Sequence, residues 1–210
     1  MTELDIKVIL VRHFLEHSKD FVIGAEVPFL FGERRADLAV LEEGSLTAYE
    51  IKSARDNVAR LGYQIDSYKK FYDFCYVVCE SGNLSEVRAA LPREIGILMI
   101  EDNAVVKVRA SKQFKRHDKI VLSSVLSVQK LKNLVKNSNL NLRSKNELCE
   151  FVSKNSTMEY LRELSRSDFV EKYGVVSRLL RQETTLHLNS DDIYTITKRA
   201  PTNLKRRTFS

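Results

Sequence analysis

The stretch from Gly32 to Ser53, GERRADLAVLEEGSLTAYEIKS, constrains the fold more than any other part of the chain. Its side chains alternate in the period of a β-strand. Arg35, Asp37, Ala39 and Leu41 take one side of a first run; Leu46, Ala48, Glu50 and Lys52 take one side of a second; Leu38, Val40, Tyr49 and Ile51 face the other way. Between the runs stands Glu43-Gly44, a two-residue connection whose glycine can adopt the positive φ of a hairpin turn. With the turn there, Glu42 pairs with Ser45, Asp37 falls opposite Glu50, and Arg35 falls opposite Lys52.

Directly opposed residues hold their Cβ atoms roughly 4.5–5.5 Å apart, so this register sets two carboxylates side by side. Like charges at that range either keep one group protonated or require a cation. Mg2+ is commonly held by one or two carboxylates together with phosphate oxygens. Lys52, on the same side, can then neutralise a phosphate or support the ionised form of an attacking water. The competing reading is a solvated hairpin face carrying ion pairs. Against it, Ala36, Leu38, Ala39, Val40, Ala48 and Ile51 are small or apolar on both sides of the charges; that pattern suits a buried central hairpin, where charges need partners.

Asp37, twelve intervening residues and then Glu50-Ile51-Lys52 resemble the signature of the PD-(D/E)XK, or restriction-endonuclease-like, nuclease superfamily. The resemblance implies that Asp37 and Glu50 bind Mg2+, with Mn2+ able to substitute. The Ile51 carbonyl is a third candidate ligand, and Lys52 assists the attacking water. In that superfamily a preceding helix often adds an acid, for which Asp5 is the first candidate and Glu26, on the first strand, the second. Gln64 and Tyr68, four apart on a helix face near Arg60, resemble the QxxxY that follows the catalytic lysine in RecB-like members. Arg35, Arg60, Gln64 and Tyr68 are accordingly expected to contact substrate, against the alternative that Tyr68 packs in the core and Gln64 is solvated.

The elements around the hairpin follow the same order. Apolar positions over 3–17 keep helical spacing, Phe21 to Phe29 is a strand bending at Pro28, and residues 55–72 form a second helix with Ser53 as its N-cap. Phe74 to Cys79 and Ile95 to Ile100 are continuous apolar runs of buried parallel strands, separated by a helix over Leu84–Leu91, and Val105–Val108 adds an edge. The expected fold is therefore α/β: a mixed four- to five-stranded sheet flanked by helices over residues 1–112, then a helical basic region over 113–197 and a basic tail over 198–210.

Charge divides at nearly the same point. Residues 1–110 hold 14 Lys and Arg against 18 Asp and Glu, whereas 111–210 hold 20 against 10, so the second half is a candidate surface for a polyanion. Within it, Leu126 to Lys154 resembles a SAP-like helix–loop–helix without the glycine usual in its loop. Helices around Met158–Leu164 and Phe169–Arg181 could pack against it, and the tail KRAPTNLKRR is suited to nonspecific phosphate contact or to a solvated end.

Other chemistries leave no trace. There is no Walker-type lysine loop, no Rossmann glycine fingerprint, no HExxH and no GxSxG. His13 and His17 lie four apart without an evident third ligand, and Cys75, Cys79 and Cys149 read as buried reduced thiols. No apolar run reaches the ~20 residues of a membrane span, and the N-terminus lacks the pattern of a secretion signal, so a cytoplasmic location is expected. Together these features predict a metal-dependent nuclease acting on DNA, or else a binding or assembly module that keeps the fold without cutting. Cutting both strands of a duplex asks for two sites, which a homodimer would supply.

Overall fold

A computed structural model of the chain describes residues 1–53, 56, 58, 61–136, 138, 141–183 and 188–197. Arg60, His187 and the basic tail lie outside the described residues. The α/β architecture is as expected, but the mixed sheet has six strands in sequential order rather than four to five. The strands are β1 (Val22–Phe29), β2 (Arg34–Glu42), β3 (Ser45–Lys52), β4 (Phe74–Glu80), β5 (Gly96–Glu101) and β6 (Ala104–Arg109). The first three form an antiparallel meander, β3, β4 and β5 run parallel, and β6 returns antiparallel. The sixth strand is the edge expected over Val105–Val108, turned back along β5 by Asp102 and Asn103, which both take positive φ.

Helix α1 (Glu3–His17) begins in a capping box between Thr2 and Asp5. It covers one face of the sheet, where Ile6, Leu10 and Phe14 pack with Ile23, Leu38, Tyr49, Ile51 and Val78. Helix α2 (Leu61–Tyr68) lies on the other face with Leu61, Ile65 and Tyr68 buried, and α3 (Leu84–Ala90) links β4 to β5. On that second face the apolar cluster continues without a break into α4 (Lys119–Ser124), α5 (Val128–Val135), α6 (Lys145–Asn155) and α7 (Met158–Glu183). The basic C-terminal region thus shares a core with the sheet. The expected helix–loop–helix corresponds to α5 and α6, whose apolar residues Leu131, Val135, Leu148 and Val152 are spent on this packing.

The two helices expected around Met158–Leu164 and Phe169–Arg181 are one continuous 26-residue α7. Its end crosses to the first face, with Val176 and Leu180 packing beside Ile193 and Ile196 of α8 (Ser190–Thr197). There α7 also closes the open edge of β1. The Ser177 hydroxyl accepts from the Ile23 N–H at 2.9 Å and lies 3.0 Å from the Ile23 carbonyl, groups that an edge strand would otherwise leave exposed to other chains. Gly24 permits this approach, because a Cβ there would meet the Tyr173 ring at 2.8 Å.

Candidate functional site

The hairpin turns at Glu43-Gly44, both at positive φ, and the register expected from the sequence holds from Glu42↔Ser45 to Leu38↔Tyr49. There the β2–β3 ladder stops. Asp37 ends it by taking the Ile51 N–H onto its own Oδ2 at 2.6 Å, a side-chain bond where a main-chain rung would stand. Beyond this point β3 continues with β4 through Glu50↔Val77, Ile51↔Val78 and Lys52↔Cys79, while β2 continues with β1. Arg35 consequently pairs with Pro28 and does not lie opposite Lys52, as the extended register would have placed it.

A second irregularity coincides with the first. Glu26, flanked by Ala25↔Leu38 and Val27↔Ala36, stands opposite Asp37 with φ 50° and makes no ladder pair. Before it Ile23 and Ala25 face α1; after it Val27 and Phe29 face α2. The strand pair turns over at the Glu26–Asp37 rung, so groups from both faces of the sheet reach the split between β2 and β3. Non-glycine residues at positive φ carry strain that persists only where the surroundings impose it.

From the α1 side come Glu3 and Lys7. The Lys7 ammonium, 7% exposed, bridges Glu3 Oε1 at 2.6 Å and Glu26 Oε1 at 2.5 Å. Burial would lower its pKa, but the bonds to Glu26 and Glu3 outweigh burial and raise it, so Lys7 stays charged. One carboxylate oxygen each from Glu3, Glu26 and Asp37 lies within 4.8 Å of the others. Asp5, the acid expected from this helix, instead gives its carboxylate to the Thr2 N–H and hydroxyl, both at 2.8 Å, and closes the helix cap. Glu3 takes its place. The available signal was its i,i+4 spacing to Lys7, which marks the helix face turned toward the strands.

From the α2 side comes Tyr68. Glu50, 3% exposed, meets Lys52 Nζ through Oε1 at 2.7 Å and the Tyr68 hydroxyl through Oε2 at 2.5 Å. The same hydroxyl stands 3.0 Å from the Arg35 carbonyl. Burial, and then the Glu50 charge, push the Tyr68 phenol well above its ordinary range, so it remains a donor. Replacing Tyr68 with phenylalanine leaves the Glu50 and Arg35 acceptors short of a donor in a dry place. The expected loss is about 1–3 kcal/mol, read as a lowered unfolding midpoint without change of fold.

Asp37 is the least compensated acid of the group. Burial first, and then the neighbouring Glu50 charge, push its carboxyl up to about 8, against the lowering effect of the Ile51 N–H. A carboxyl raised on folding favours the folded state fully below the ordinary carboxylate pKa near 4, and that contribution is lost as pH climbs toward 8. Asp37→Asn, which keeps an acceptor for Ile51, should match the parent at pH 4 and exceed it by a widening margin up to pH 8. In EDTA the margin is expected to reach the order of 2–5 kcal/mol, measured by urea unfolding at each pH; a margin that stays flat with pH would contradict it.

The remaining expected contacts distribute unevenly. Gln64 is half-buried, and its Oε1 has no hydrogen-bond partner among the described residues; Arg35 is exposed; Ile51 meets Asp37 through its N–H. His13 and His17 stack at 4.4 Å away from the acids, and the three cysteines are free and buried. All donors in the Glu3, Glu26 and Asp37 group are carboxylate oxygens, a set that fits a hard cation such as Mg2+ or Mn2+. Among the described residues Glu50 belongs to no such converging group.

The model of the bacteriophage P4 protein cII family matches residues 1–196, which takes in every element described above but the last residue of α8. The chain belongs to the bacteriophage P4 protein cII family. Protein cII of Enterobacteria phage P4 is 24% identical over a 208-residue alignment that covers 94% of this chain and 78% of that protein. A solved structure of the SPO1766 protein of unknown function from Silicibacter pomeroyi is 20% identical and covers 66% of this chain and 94% of its own, with a TM-score of 0.44. Within the cII-family match lie both the strained Glu26 and the Asp37, Glu50 and Lys52 set, so the split sheet belongs to the family segment and not to an appendage. Among the described residues of this cII-family chain, no helix is long and apolar enough to cross a membrane.

Proposed function

We propose that this chain is a Mg2+-dependent nuclease that hydrolyses phosphodiester bonds in DNA, acting in the cytoplasm. The carrying observation is the charge balance at the split. Among the described residues, Glu3, Glu26, Asp37 and Glu50 form ion pairs with Lys7 and Lys52 alone, and the surplus shows in the Asp37 carboxyl raised to about 8. A divalent cation would relieve that surplus. Asp37, Glu26 and Glu3 are the groups to hold it, with Glu50 beside them. When bound, Mg2+ supplies the positive charge that polarises a phosphate oxygen.

The chain's own residues have the other roles. Lys52, held on Glu50, is placed to steady charge that develops on the phosphate. Tyr68 is a positioning residue, because it fixes Glu50 without a free valence for substrate. Gln64 has a buried amide oxygen without a partner among the described residues, and Arg35 an exposed guanidinium. The test is to incubate plasmid, linear duplex, single-stranded DNA and RNA with the protein and Mg2+ or Mn2+, with EDTA as control. Metal-dependent cleavage that Asp37→Asn removes supports the reading; intact substrates in every arm would end it.

One observation favours a second reading, a nucleic-acid-binding or assembly module without hydrolysis. The Lys7 ammonium already bridges two of the acids, so the cluster can stand as an ion-pair network. The cleavage assay separates the two, and calorimetry with Mn2+ tests the network itself: a purely structural network gives no metal heat, whereas a metal site gives heat that Asp37→Asn abolishes.

A further inference from the structure

The loop between β1 and β2 and the start of α2 carry features that the acids and Lys52 leave unused. Leu30, Phe31 and Gly32 all have positive φ, at 48°, 58° and 91°. Two consecutive non-glycine residues in that region are strained, and strain of this kind collects where a loop presents something. The Phe31 N–H is tied to Ser124 Oγ at 3.2 Å, and Lys145 Nζ stands 6.0 Å from the Phe31 ring centroid. Three residues further along, the Arg34 guanidinium lies 4.5 Å from the centroid of the Tyr63 ring.

Tyr63 is 72% exposed, more than any other large apolar side chain among the described residues. Arg34 stands over its ring, and most of the side chain is exposed. A ring held by a guanidinium is a pre-organised platform for a flat π-surface, and cationic groups around it suit phosphates. The platform adjoins the acids through short covalent and hydrogen-bonded links. Arg35, next to Arg34, gives its carbonyl to the Tyr68 hydroxyl, which also holds Glu50; Gln64, next to Tyr63, bears the unpartnered amide oxygen.

We propose that Tyr63 backed by Arg34 stacks unpaired bases, so that the polynucleotide led toward Glu50 and Lys52 is single-stranded. Base faces are covered by their neighbours in a duplex and free in a single strand, which is why an open ring selects the latter. The last part of this inference, delivery to Glu50 and Lys52, rests on the nuclease reading; the stacking itself does not.

Fluorescence anisotropy in EDTA, where no cleavage occurs, tests it with a labelled single-stranded DNA oligonucleotide, the RNA of the same sequence and the matching DNA duplex. Tyr63→Ala is expected to weaken single-strand binding by roughly fivefold to a hundredfold, Tyr63→Trp to retain it, and duplex affinity to change by less than about twofold. A preference between the DNA and RNA strands would identify the sugar and supports the platform equally. Tyr63→Ala binding single strands like the parent, or losing duplex affinity to the same degree, overturns it, as does a parent protein that binds no strand. Tyr63 is exposed, so its replacement leaves the core intact. Selective loss of single-strand binding in a protein that cuts nothing with Mn2+ would keep the platform and remove the nuclease; cleavage with Tyr63→Ala binding unchanged would do the reverse.

Discussion

Lys52→Ala is expected to lower metal-dependent cleavage by about 10²–10³-fold, the size of effect seen when a group that stabilises transition-state charge is removed. The same change strips Glu50 of its ammonium at 2.7 Å and leaves a nearly sealed carboxylate with Tyr68 as its remaining hydrogen-bond donor. Breaking a buried pair from one side costs about 3–5 kcal/mol, and the 12% exposure of Lys52 places this case toward the lower figure. Activity and stability must therefore be read together. The variant should be assayed below its lowered unfolding midpoint, with circular dichroism showing the parent fold and anisotropy in EDTA showing retained polynucleotide binding. Cleavage at the parent rate under those conditions would place the chemistry elsewhere in the molecule.

Asp73→Ala is expected to be the most destabilising single change in the chain. Asp73 is fully buried and stands between the end of α2 and the start of β4. Its Oδ2 accepts from the Leu46 N–H at 2.8 Å and from Arg166 Nη2 at 2.9 Å, and Arg162 Nη2 pairs with its Oδ1 at 2.8 Å. Its main chain bonds to Leu46 and to Phe114. One carboxylate thus joins the sheet to the long helix α7, while the main chain of the same residue holds the segment before α4. Removing it leaves the Arg166 guanidinium, itself 7% exposed, without a carboxylate at that side and with the Phe71 carbonyl and ring and the Ser165 hydroxyl as its partners among the described residues. The expected loss is about 3–5 kcal/mol, or a fall in midpoint of roughly 6–20 °C for a chain of this size. Asp73→Asn keeps an acceptor for Leu46 and should fall between. A midpoint within a degree or two of the parent would show that α7 is held by its apolar contacts alone.

Nothing local in the sequence marks Asp73 or Arg166, and the reason is separation. Their partners lie 93 residues apart, and a lone Asp between two aromatic runs has no local pattern that predicts an arginine from a distant helix. Glu3 was passed over for a related reason. In the sequence Asp5 and Glu3 are equivalent acids of a first helical turn, and only the cap geometry, which commits Asp5 to Thr2, decides between them. The gap between the two expected helices falls on the polar run Ser165-Arg166-Ser167-Asp168, which α7 crosses unbroken because Arg166 is paired with Asp73 and Asp168 with Lys130.

What the sequence determined by itself is whatever depends on near neighbours: the hairpin with its turn at Glu43-Gly44, the alternation that puts Glu50 and Lys52 on one face, and the order of helices and strands. These follow from periods of two and of 3.6 residues, which a linear pattern displays. The tertiary structure alone decided that the ladder ends at Leu38 and Tyr49, that the strand pair turns over at Glu26 and Asp37, and that α1 sends Glu3 and Lys7 into the opening. Those outcomes depend on which acceptor wins the Ile51 N–H and on which acids a buried ammonium can reach, a competition among groups brought close only when both faces of the sheet are covered.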